Sequence, residues 1–228
     1  MEVSYRMLDR MCRDEETAEC IRNDCDGLKV ISRSLKVHAD NEKACIVGSR
    51  LLTKLASGNV EALIRRLKTT EEAEEKEYLS GLLANLALEE ENAQKILESG
   101  GVATLIATIQ SKNLRSVTAA ASAIARMAEA SPEPAIALVE ANAMDHLVSK
   151  LGELTAVEGG EEALGMVASA LQKLLNADID GIMVEKFKEA GGVDAALASL
   201  KGGKSTMSTV SAVLHMLDKL ALSRFDMV

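Results

Sequence analysis

The chain has 228 residues, 47% of them hydrophobic but only 2% aromatic, with no Trp, two Pro and a formal net charge of −9. Two Tyr and two Phe leave too few ring faces for stacking-based recognition of bases or sugars, and the acidic balance opposes broad binding to nucleic acid or anionic membranes. No stretch approaches the roughly 18 consecutive apolar residues of a membrane span, and MEVSYRMLDR lacks the basic-then-apolar layout of a signal peptide, so a soluble, cytoplasmic protein is expected.

Taken in chain order, the apolar mass falls into helical periods. Met7 to Ile21 (MLDRMCRDEETAECI) overlays Leu82 to Ile96 (LLANLALEEENAQKI) without a gap, so the chain opens on a partial copy of something that recurs. Cys12, Cys20, Cys25 and Cys45 crowd this region, with no CxxC pair and no His at metal-ligand spacing, which reads as packed, reduced thiols. LLTKLA then closes a helix at Ala56, and SGNV, ending at Val60, marks a weak break. Glu71 to Glu77 (EEAEEKE) reads as a solvated helix start favoured by the helix dipole. Leu79, Leu82, Leu83 and Leu86 follow as one buried face of a helix ending in LLANLA at Ala87.

ESGGV then punctuates the chain. The first glycine suits a left-handed helix end, and the second frees the bend into the next helix. Val102, Leu105, Ile106 and Ile109 make the next apolar face, and Val117, Ala121, Ile124 and Ala128 the one after. Pro132 and Pro134 start a short helix, VEANAM repeats the break at Met144, and TAVEGG (155–160) reads as a loop before the helix closing in ALQKLL at Leu175. KEAGGV repeats the glycine pair at Gly191 and Gly192, LKGGKST (200–206) reads as a second loop, and MLDKLA closes the last long helix at Ala221. The long-helix ends recur roughly 40 residues apart, the spacing of a solenoid whose units bury their apolar faces only by stacking. The expected copies are a partial one over 1–25, then about 26–57, 58–99, 100–141, 142–190 and 191–228, in one domain spanning 1–228.

A Gly-Gly-Val break, an apolar helix, then a long helix ending in Leu-x-Asn-Leu-Ala before an acidic, Asn-bearing turn resembles the armadillo repeat. The resemblance covers nearly the whole chain and is closest from Leu82 to Ile109. It implies an all-α, right-handed solenoid of three-helix repeats whose long third helices line a concave groove for peptides. Where importin-type grooves carry Trp, four residues before the Asn of LLANLA, this chain has Gly81, which implies a β-catenin-like groove instead. Glu2 stands where an acylated armadillo tether would need Gly.

No catalytic set emerges. His38, His146 and His215 lie in different copies and form no HExxH pair, and GGVATL and GGVDAA follow helices without completing a dinucleotide fingerprint. No enzyme, cofactor or metal is expected. The third-helix positions matching the family's groove Asn read Arg10, Lys54, Asn85, Arg126, Lys173 and Lys219, with Arg50 and His215 one turn earlier. Five of the six are basic in a chain where Lys and Arg number 26. The expectation is a non-enzymatic protein-binding scaffold or adaptor whose partner presents an extended acidic or phosphorylated segment, without nucleic acid and without membrane insertion. The alternative is a structural subunit of a large axonemal or cytoskeletal assembly, held through its ends and convex face. Met7, Leu8 and Met11 then call for cover by upstream repeats or by an assembly partner.

Overall fold

The computed structural model describes residues 2–23, 27–38, 40–178, 180–201 and 205–222, and places fifteen helices and no strand among them. Two compact units divide the chain, Met1–Leu63 and Ile64–Val228. Cys25 and part of the LKGGKST loop lie outside the described residues. Of the cysteines near them, Cys12 is buried and Cys20 exposed.

The first unit holds α1 (Glu2–Met11), α2 (Glu15–Asn23), α3 (Gly27–Val37) and α4 (Glu42–Ser57), followed by the start of α5 (Val60–Thr69). Asp14 begins α2, its Oδ2 accepting from the Thr17 hydroxyl at 2.7 Å and the Thr17 N–H at 2.9 Å. Those two donors, the hydroxyl foremost, hold its carboxyl below the ordinary Asp range. Asn41 caps α4 by accepting from Ala44 N–H. Helices α1 and α3 both pack on α4, and their contacts bury Tyr5, Ile31, Leu51, Leu52 and Leu55.

The second unit continues through α6 (Ala73–Leu86), α7 (Glu90–Glu98), α8 (Gly101–Ile109), α9 (Leu114–Ala130), α10 (Pro132–Glu140), α11 (Ala143–Leu154), α12 (Glu161–Asn176), α13 (Ile182–Glu189), α14 (Gly192–Lys201) and α15 (Met207–Leu222). Its long helices stand side by side in the order α6, α9, α12, α15, and the apolar helices α8, α11 and α14 form a second row. Helix α9 packs on both α6 and α12, and its buried positions are mostly small: Ser116, Ala120, Ala121, Ala123, Ala125 and Ala128. Small side chains let helix backbones approach closely on both sides. Every layer therefore shares its core with the next, as the sequence period requires.

The two glycines of each pair have different reasons to be glycine. Gly100 and Gly191 adopt φ of +74° and +75°, the left-handed region. Gly101 and Gly192 do not bend the chain; they make room. A Cβ on Gly101 would lie 2.5 Å from Ile96 Cγ2 and 2.7 Å from the Ile96 carbonyl oxygen, and one on Gly192 would lie 2.4 Å from the Phe187 ring. The VEANAM break works similarly, with Asn142 taking φ +61° in place of glycine. SGNV does not, because Gly58 keeps a right-handed φ of −75°.

Cations tie successive layers together at helix C-termini. Arg126 Nη1 donates to Ala84 O at 3.3 Å near the end of α6, Lys150 Nζ to Ser111 O at 3.4 Å just past α8, and Lys186 Nζ to Val139 O at 3.3 Å at the end of α10. In the first unit Lys54 Nζ reaches Asp9 O at 3.5 Å. Each cation meets carbonyls near the negative end of a helix dipole, where intrahelical partners run out. Lys150 is buried to do so, with Glu153 at 2.8 Å as its counter-charge.

Helix α1 differs from its counterparts at two positions. Leu51 and Leu55, Leu82 and Leu86, Ala123 and Met127, Ala170 and Leu174, and Met216 and Leu220 are all buried, while the matching Met7 and Met11 are 66% and 47% exposed. Leu8, also expected to need cover, is half-buried.

Candidate functional site

The row of matching third-helix positions is split between the two units. In the first unit Arg10, Arg50 and Lys54 are exposed, and Lys54 Nζ lies 3.5 Å from Asp9 Oδ1 on the neighbouring α1. In the second unit Asn85, Arg126, Lys173 and Lys219 fall on α6, α9, α12 and α15, which stand in sequence, and all four are half-buried. The structure thus brings these four to one series of adjacent helices. His215 is exposed on α15, with Nδ1 2.8 Å from the carbonyl of Ser211 on its own helix.

Helix physics explains part of the row. Arg10, Lys54, Lys173 and Lys219 all lie in the last turn of their helices, where the dipole favours a cation. The first turns of α6 and α12 are acidic to match, with Glu74 and Glu75 on α6 and Glu161 and Glu162 on α12. Of the second unit's four long helices, α12 alone combines an acidic start with a basic end.

The cations are not equivalent. Arg126 is held by neutral oxygens, Ala84 O and Asn85 Oδ1, with no carboxylate partner among the described residues. Lys173 Nζ pairs with Glu129 Oε1 of α9 at 2.5 Å. Lys219 has no ionic partner among the described residues. Glu129 is a part of this site that the sequence did not single out: it sits three residues past Arg126 and yet bonds across to the next helix.

Small side chains lie one turn before the row, at Gly81, Ser122 and Ser169, each half-exposed. Gly81 is inside α6, and a Cβ there would meet nothing within 4 Å. Sterics inside the chain therefore do not require glycine. Gly81→Ala is expected to raise stability by about 0.5–1 kcal/mol, the usual helix-interior difference. A urea titration followed by circular dichroism checks this, and a loss of stability would show that the face needs an open backbone even without a partner.

No other constellation competes with this face. Among the described residues no group of His, Cys, Asp and Glu is placed to hold a metal ion, and no helix is long and apolar enough to cross a membrane. His146 Nδ1 lies 3.0 Å from Gln110 Nε2, and His215 is in a different layer. The cleft between α7 and α10, about 420 Å³ and lined by Glu90, Glu91, Glu98 and Glu133 among others, is acidic. There Lys95 pairs with Glu91 and holds its carboxyl below the ordinary Glu range.

Comparison with solved structures decides the fold. A designed armadillo repeat protein in complex with the peptide (KR)4 is 19% identical, with a TM-score of 0.65 over 96% of this chain and 92% of that one. The fold is that of the armadillo repeat. A second designed armadillo repeat protein is 18% identical with a TM-score of 0.64, again over 96% of this chain and 92% of the other. The crystal structure of an engineered protein matches at 22% identity and a TM-score of 0.66, covering 96% and 90% of the two chains. No protein-family model matches the sequence, and no curated protein matches it. The armadillo face is thus recognisable in architecture, while its chemistry must be argued from this chain's own residues.

Proposed function

We propose that the chain is a non-enzymatic, cytoplasmic adaptor whose second unit binds an extended acidic or phosphorylated segment of a partner protein on the face of α6, α9, α12 and α15. The observation that carries this reading is that Arg126 and Lys219, on either side of Lys173, have no carboxylate partner among the described residues, in a chain whose net charge is −9. A cationic row on an otherwise acidic molecule gives charge-assisted hydrogen bonds and a salt-sensitive on-rate to an anionic ligand. The solved neighbour's (KR)4 peptide is basic, so this reading assigns the present chain the opposite ligand polarity on the same architecture, closer to a β-catenin-like than an importin-like groove. Absence of an aromatic at Gly81, Ser122 and Ser169 favours contact through charge and backbone over stacking.

The test is reversal of Arg126, Lys173 and Lys219 to Glu. Affinity for the natural partner is expected to fall at least tenfold, about 1.4 kcal/mol, with helical content unchanged by circular dichroism. Unchanged affinity would remove this face from the mechanism. The second reading, a structural subunit held through its ends and convex face, is favoured by one observation: Val3, Met7 and Met11 are exposed apolar residues on α1, while Tyr5 of the same helix is buried. Partner capture that survives the triple reversal but is lost on Met7→Glu and Met11→Glu would support it.

A further inference from the structure

The second unit carries its own anionic occupant on the face just described. Lys173 is the middle cation of three on consecutive helices, and among the described residues it alone of the three is paired with a carboxylate, Glu129 Oε1 at 2.5 Å. That pair crosses from α12 to α9, with side chains 31% and 51% exposed, so it is open to solvent and to an incoming ligand. Arg126 on the same helix as Glu129 bonds instead to Ala84 O and Asn85 Oδ1. Glu129 therefore divides the row: among the described residues no carboxylate meets Arg126 or Lys219, while the charge between them is already satisfied.

We propose that Glu129 is an intramolecular competitor for the anionic segment, occupying Lys173 until a ligand carboxylate or phosphate displaces it. This rests on the binding reading given above. An exposed pair of this kind is worth little by itself, so the carboxylate exchanges readily and the site is damped without being closed. The cost to a ligand is uniform: any anion using Lys173 must first release Glu129, and its apparent affinity falls in proportion to the fraction of molecules in which Lys173 is free. Glu129 is thus an affinity-setting residue that lowers binding to short or weakly charged segments, while a segment long enough to gain Arg126, Lys173 and Lys219 together overcomes it.

The experiment uses a fluorescein-labelled Glu-Ser repeat peptide, and the same peptide with phosphoserine, titrated by fluorescence anisotropy against the full chain, Glu129→Gln, Lys173→Gln and the double variant. Glu129→Gln is expected to bind both peptides about threefold tighter, within the range of an exposed ion pair. In the Lys173→Gln background the same substitution is expected to change nothing, because the competition acts only through that ammonium. If the full chain binds the peptides and Glu129→Gln is no tighter, the competitor role is overturned while the binding reading stands. Equal tightening in the Lys173→Gln background overturns it as well, since that is the signature of a long-range field. If neither the full chain nor Glu129→Gln binds either peptide, the acidic-segment reading itself fails.

Discussion

Replacing Phe187 with Ala is expected to cost about 3–5 kcal/mol, the largest single effect in the second unit. Phe187 on α13 has no exposed surface, and its ring fills the space that Gly192 leaves by having no Cβ. The neighbouring glycine backbone carries no side chain that can swing in to fill the void, so truncation leaves a cavity bounded by the start of α14. The cost should appear as a shift in the urea midpoint. Armadillo layers need not unfold together, so the transition should be followed both by circular dichroism and by exposure of core residues to proteolysis. A loss under about 1 kcal/mol would mean that the ring is less confined than its burial implies.

Gly101→Ala is expected to cost about 2–3 kcal/mol, more than the same change at the neighbouring Gly100. A Cβ at this site meets Ile96 O at 2.7 Å, Ile96 Cγ2 at 2.5 Å and Ile64 Cδ1 at 3.0 Å. The side-chain contacts have some freedom to rotate, but the carbonyl oxygen belongs to α7 and moves only with its helix. Gly100→Ala, one residue earlier, meets no atom and suffers only from φ +74°, a penalty of about 1–2 kcal/mol. Comparing the two variants by urea denaturation separates close approach from backbone conformation. The reverse order of costs would show that α7 and α8 re-seat easily.

How much of this is legible in the sequence depends on whether the cause is local. The helix faces Leu79–Leu86 and Val102–Ile109 are readable because 3.6-residue periodicity follows directly from burying one side of a helix. Left-handed turns at Gly100 and Gly191 are readable because few other residues tolerate them. The role of the second glycine is not a bend, as the sequence suggests: a bend is a local idea, whereas the Ile96 and Phe187 contacts depend on how closely α8 and α14 approach the helices before them. Gly58 looks like a break and is right-handed, since the α4 to α5 turn runs through it and Asn59 without a left-handed residue.

The candidate site shows the same division. The register of Asn85, Arg126, Lys173 and Lys219 on four adjacent helices follows from aligning repeats, but the state of each cation does not. Nothing in the sequence around Lys173 names Glu129, because the pair forms across the interface between α9 and α12. Lys150 carries no signal of burial in the sequence. It is buried because the turn after α8 lies over it and its ammonium caps that turn.

The layer-to-layer ties have an evolutionary consequence. Arg126, Lys150 and Lys186 all grip main-chain oxygens of the layer before, at Ala84, Ser111 and Val139. A main-chain oxygen is present whatever residue stands there, so such a tie needs no matching mutation in its partner. Layers joined this way can be duplicated, lost or exchanged by recombination and still find their neighbour. The Lys173–Glu129 pair differs, because it requires a particular side chain on each side, as the contact of His146 with Gln110 also does. A duplication that separated α9 from α12 would keep the stack and discard that pair, so the length of the face and its affinity can be inherited independently.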